Sequence, residues 1–141
     1  MRNLRTALAA VALCGMLVGV TTSAAAGEND PLFVNLTSDE AFRTMMAMRF
    51  SKALMERGHP LTIFLNDKGI YLASKAHGAK YVDQQKLLSE LMEKGTVVIA
   101  CPQCLEQFNI PETDLLPGIR VGSASLTGGA LFKDGTQTLS W

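Results

Sequence analysis

The sequence predicts an α/β fold, a three-layer α/β/α domain built on a mostly parallel sheet of about five strands. Three observations lead there. Short apolar runs alternate with stretches of helical period along residues 27–141, the pattern of strand–helix–strand units. Residues 96–100 (TVVIA) form a β-branched run without polar alternation, as in a strand covered on both faces. Helix-stopping glycines, Gly58 and Gly95, fall just before apolar runs, so each helix feeds a new strand through a right-handed crossover.

In chain order, Leu32-Phe33-Val34-Asn35-Leu36 is the first strand. Thr37-Ser38-Asp39-Glu40 has capping-box form, a hydroxyl residue three positions before a carboxylate, and announces a long helix. Helical spacing puts Phe42, Met46, Phe50, Ala53 and Leu54 on one apolar face. Met45, Met46, Met48 and Met55 read as core and interface filler rather than metal ligands. Gly58 ends the helix with Pro60 beyond it, and residues 61–65 (LTIFL) make the second strand.

Asn66-Asp67-Lys68-Gly69 turns off that strand as a solvated loop at the sheet's carboxyl edge, within reach of a substrate there. Residues 70–75 read as a short helix or turn. Asp83 is expected to cap the next helix, whose stripe is Leu87, Leu88, Leu91 and Met92, with Gly95 as its stop. After the central strand, residues 105–109 allow about one helical turn before Ile110-Pro111 breaks it. Residues 119–122 are a fourth strand, 125–132 a weak helix containing Gly128-Gly129, and 136–140 a last short strand.

Residues 1–26 read as a targeting segment. Arg2 and Arg5 form the positive n-region, residues 7–20 the apolar h-region, and Ala24-Ala25-Ala26 a cleavage site. Residues 6–26 carry no charge and are also long enough for an uncleaved anchor. Cleavage is the favoured expectation, giving an exported, periplasmic protein with no membrane attachment afterwards. Removal of 26 of the 141 residues leaves 115, the size of one domain. It also takes away Cys14 and two arginines, so eleven basic residues face thirteen acidic ones. A weakly acidic domain without a basic cluster argues against nucleic acid as a partner.

Chemistry concentrates in Cys101-Pro102-Gln103-Cys104, which follows the central strand directly. Strand ends of this kind open onto the crevice where open α/β sheets bind their ligands. Pro102 suits the first position of a helix, which sets Cys101 beside a helix N-terminus. The partial positive charge there favours a thiolate, so Cys101 is expected to have the lower pKa of the pair. A Cys-x-x-Cys is also compatible with a structural disulfide or half a metal site. His59 and His77 are the available completing ligands, although surface or core roles suit both. No metal or cofactor is required by any motif.

At this Cys pair the sequence resembles the DsrE/DsrF-like family of small α/β domains, which includes sulfur-relay components. The matching features are Val97-Val98-Ile99-Ala100 leading into Cys101–Cys104, the short turn to Asn109-Ile110, and Asp114-Leu115-Leu116-Pro117-Gly118 leading into Val121-Gly122-Ser123. Leu139-Ser140-Trp141, and Ala53–His59 leading into residues 62–65, match as well, so the resemblance spans Pro31 to Trp141. It implies a five-stranded parallel sheet and assembly as a homotrimer or homohexamer. It also implies that Cys101 carries sulfur as a persulfide between partner proteins. The second thiol, here Cys104, occurs in part of the family. The family usually has Gly where Asn109 stands, and its known relays are cytosolic, so export sets this chain apart.

Three functions remain open on these grounds. A sulfur carrier would load Cys101 from a donor protein or a small polysulfide, with Cys104 as resolving thiol. A thioredoxin-type dithiol is suggested by Cys-Pro-x-Cys, although that motif normally opens a long helix after the first strand. A non-enzymatic oligomer could bind a ligand or metal through the paired thiols.

Overall fold

The computed structural model describes residues 27–141; the targeting segment expected at residues 1–26 lies outside the described residues. The strands are β1 (Leu32–Leu36), β2 (Leu61–Leu65), β3 (Val97–Ala100), β4 (Arg120–Val121) and β5 (Gln137–Ser140). The helices are α1 (Ala41–Met55), α2 (Val82–Glu93), α3 (Pro102–Gln107) and α4 (Ala124–Leu131). The described strands form one five-stranded sheet in the order β4-β3-β2-β1-β5, every pair parallel.

Paired residues in parallel strands share a face, and the register therefore sorts the sheet. Val34, Ile63 and Val98 lie on one face with Leu36, Leu65 and Ala100. All six are at most 1% exposed. They meet Met48 of α1, Leu88 and Leu91 of α2, and Leu105 of α3 in a single core. Phe33, Phe64 and Ile99 lie on the other face, where Phe33 and Phe64 share a cavity wall with Thr127 and Leu131 of α4. The β4–α4–β5 connection crosses back over that face, which makes the third layer thin.

Several boundaries and faces differ from expectation for local reasons. Helix α1 is capped by Glu40, whose carboxylate accepts from the amides of Phe42 (2.9 Å) and Arg43 (2.7 Å). Thr37 is not the cap: its hydroxyl donates to the Trp141 carbonyl at 2.5 Å, tying β1 to the chain end. The face of α1 on the sheet is Thr44, Ala47, Met48 and Ser51, while Phe42, Met46 and Phe50 point to solvent. Small residues let the helix sit close to the sheet, and the hydroxyls of Thr44 and Ser51 are satisfied by carbonyls one turn back. Both faces repeat at i, i+4, so period alone does not choose between them.

Asp83 sits inside the first turn of α2 rather than capping it; the residue before the helix is Tyr81, which makes no side-chain cap bond. The Tyr81 hydroxyl instead donates to Asp39 at 2.7 Å, beside the Lys80–Asp39 ion pair. The expected stripe of α2 does face the core, with Leu87, Leu88 and Leu91 buried. The segment after β2 is a 3-10 helix, Asp67–Ala73, with Ile70 and Leu72 fully buried. Strand β4 is shorter than expected, since only Ile99 and Ala100 of β3 are opposite it.

Candidate functional site

The site begins where β3 ends. The Cys101 amide donates to Leu65 O (3.0 Å), which extends the β2–β3 ladder by one bond past Ala100. Cys101 then turns the chain as the N-cap of α3, with Pro102 as first helical residue. Its Sγ accepts from the Cys104 amide at 3.3 Å, doing with sulfur what Ser or Asp oxygen does at most helix starts. Cys101 is 6% exposed, and neither it nor Cys104 is in a disulfide.

Cys104, one turn on, is partly exposed and also reaches the loop after β2. Its thiol donates to Asn66 Oδ1 at 3.1 Å and accepts from the Asp67 amide at 3.2 Å. Asp67 reaches that position only through a left-handed backbone, φ 46°. Burial first, and then hydrogen bonding to the Cys101 sulfur, push the Cys104 thiol up to about 11; the Asp67 amide pulls weakly the other way. Cys104 is therefore a protonated thiol at neutral pH. It opens onto a cleft of about 340 Å³ lined by Asn66, Asp67, Gln103, Gln107 and Phe108.

The two sequence-predicted residues thus meet at the carboxyl edge, joined by a cap bond. The two histidines do not join them. His59 Nδ1 donates to Asp30 O at 2.9 Å, and His77 Nδ1 bonds Ser74 Oγ at 2.8 Å. Among the described residues no three His, Cys, Asp or Glu side chains converge as metal ligands. Asn109 has φ 55°, the left-handed conformation that its place in a glycine position requires.

Sequence reasoning missed Asn66 and the Asp67 amide as partners of Cys104. The available signal was topological: Asn66 directly follows β2, the parallel neighbour of β3. It also missed the Ser74, His77 and Asp114 cluster on the far side of Phe108.

A parallel five-stranded domain with a Cys-x-x-Cys at its carboxyl edge defines a class of small α/β thiol proteins. The family model described as DsrE/DsrF-like matches residues 32–136, and the chain belongs to that family. An uncharacterized protein of Methanocaldococcus jannaschii, MJ0989, is 30% identical over 82 residues, covering 57% of this chain and 72% of the relative. MK0008 of Methanopyrus kandleri, also uncharacterized, is 28% identical over 82 residues, 57% of this chain and 68% of that one. Among solved structures, MTH1491 of Methanobacterium thermoautotrophicum, of unknown function, superposes with a TM-score of 0.68 at 18% identity, over 80% of this chain and 100% of that one. The ychN protein of E. coli gives 0.66 at 18% identity, over 80% and 99%. At these identities the structures establish the fold.

Proposed function

We propose that the chain is an exported, periplasmic protein of sulfur metabolism that holds sulfur as a persulfide on Cys101, with Cys104 as resolving thiol. The observation that carries this reading is the inequality of the two thiols. Cys101 Sγ accepts an amide hydrogen at a helix start, whereas Cys104 is held as a thiol with a pKa of about 11. Membership of a family that includes sulfur relays supports it.

In the loading step the Cys101 thiolate attacks the outer sulfur of a donor persulfide or polysulfide. A Cys101–S–SH bond forms, the donor S–S bond breaks, and the donor thiolate leaves. Transfer is the same exchange in reverse, with an acceptor thiolate attacking the outer sulfur. Where no acceptor is present, the Cys104 sulfur attacks Cys101 Sγ, releasing hydrosulfide and leaving a Cys101–Cys104 disulfide. The near-complete burial of Cys101 suits a persulfide that must survive an oxidising compartment. Donor and acceptor are partner proteins or small polysulfides.

The assembly in this reading is a homotrimer or homohexamer. Its support is the outward stripe of α1, where Phe42, Met46 and Phe50 are 72%, 40% and 48% exposed.

Mass spectrometry after polysulfide treatment tests the assignment of roles. Cys101→Ser should take up no sulfur, and Cys104→Ser should keep a longer-lived adduct on Cys101. Uptake by Cys101→Ser at the wild-type rate reverses the assignment. If neither thiol accepts sulfur while the pair cycles with a dithiol reductant, the protein is a redox dithiol instead.

A further inference from the structure

Cys104 and Gln103 both line the thiol cleft and both touch the Cys101 sulfur. Cys104 does so through its backbone amide, which donates to Cys101 Sγ at 3.3 Å. Gln103 does so through its side chain: the Cys101 thiol donates to Gln103 Oε1, 3.8 Å away. Cys101 is not part of the cleft lining and is 6% exposed, whereas Gln103 is an exposed residue. The difference between the two contacts is mechanical. The Cys104 amide belongs to the first turn of α3 and cannot leave without unwinding it. The Gln103 side chain stands on the helix surface, where a change of rotamer turns it aside with the backbone in place. Passage from the cleft to the Cys101 sulfur therefore runs through rotation of Gln103.

We infer that Gln103 is the specificity-determining residue of the thiol site: its side chain screens Cys101 from the cleft and admits a terminal sulfur in preference to the internal sulfur of a disulfide. The outer sulfur of a persulfide, R–S–SH, carries only hydrogen and passes a narrow opening beside the amide. Each sulfur of a disulfide, R–S–S–R, brings a carbon chain to within one bond of the attacking Cys101. The two exchanges differ in nothing else. With a persulfide the Cys101 thiolate takes the outer sulfur, a Sγ–SH bond forms, the donor S–S bond breaks and RS⁻ leaves. With a disulfide a Sγ–S–R bond forms and RS⁻ leaves. Glutamine also suits both protonation states of its neighbour. Its Oε1 accepts from the thiol, and a half-turn of the amide presents Nε2 as a donor to the thiolate. The donor class named here rests on the sulfur-carrier reading, whereas the screen itself can be tested without sulfur transfer.

The screen is tested on the full chain with two reagents of one chemistry and different size, methyl and benzyl methanethiosulfonate, the label being mapped to Cys101 by peptide mass spectrometry. Gln103→Ala removes the screen, and Gln103→Met keeps its bulk without the hydrogen bond. The position is exposed, so both variants should keep the wild-type circular dichroism. The benzyl-to-methyl rate ratio at Cys101 should rise about tenfold in Gln103→Ala and stay within about twofold of wild type in Gln103→Met. An unaltered ratio in Gln103→Ala, or an equal rise in both variants, overturns the inference. With glutathione persulfide and glutathione disulfide as competing donors, Gln103→Ala should lose about tenfold of the wild-type preference for the persulfide. A preference kept in full overturns the selectivity. If wild-type protein takes no sulfur from the persulfide, the carrier reading fails, and the methanethiosulfonate ratio still decides whether Gln103 screens Cys101.

Discussion

A backbone amide and a side-chain amide from one loop decide how Cys104 behaves. Asn66 accepts its proton and burial disfavours its anion, so alkylation of Cys104 should keep accelerating up to about pH 11. In Cys101→Ser that midpoint should move down but stay above 9.0, because burial, the larger cause, remains. The same shift links to stability. The folded pKa lies above the unfolded value of 9.0, so the folded state holds the proton longer. The stabilisation is fully present below 9.0 and is lost as pH rises toward about 11, a decline that Cys104→Ser should lack on denaturant titration. The loop itself depends on Gly69, where a Cβ would fall 2.1 Å from Leu36 O. Gly69→Ala should cost at least about 2–3 kcal/mol and release the Asp67 amide from Cys104, read as a higher Cys104 pKa, because that amide hydrogen bond lowers it. Cys101 and Cys104 were legible in the sequence because they are three residues apart. The partners were not: Asn66 and Cys104 are 38 positions apart, and Ser74 and Asp114 are 40. Only the folded sheet brings them together.

At the scale of elements, the alternation of strands and helices was readable because each boundary carries its own chemistry. Gly58 and Gly95 leave α1 and α2 with φ of 104° and 95°, as helix-stopping glycines should. What the residue pattern does not contain is which apolar stripe of α1 meets the sheet. Thr44 and Ser51 look polar in sequence, yet their hydroxyls bond within the helix and the pair is fully buried. Phe42, Met46 and Phe50 are left facing solvent, a liability in a lone domain and an asset at an interface. The double variant Phe42→Glu, Met46→Glu should therefore keep the wild-type circular dichroism and thermal midpoint. In light scattering it should drop from oligomer to monomer at micromolar concentration. A wild-type protein that is already monomeric would remove the assembly from the account.

For the whole molecule, strand order β4-β3-β2-β1-β5 puts β3 inside the sheet, with its carboxyl end between the loop after β2 and the short β4. Cys101 is thereby set at the end of β3, and Cys104 in α3 beside the loop after β2. One core carries the domain, and the thin third layer beneath α4 contributes Phe33 and Ile99 to the burial rather than any residue of α4 itself. The central claim is that this frame holds transferable sulfur on Cys101. It is tested most directly by the intact mass of the protein expressed from the full sequence, residues 1–26 included, and isolated without reductant. Protein one sulfur atom heavier than the reduced chain, with the extra atom mapped by peptide fragmentation to Cys101 and removed by cyanide or a thiol acceptor, is the predicted result. A uniform Cys101–Cys104 disulfide that never gains sulfur when reduced and offered donor persulfide would contradict it.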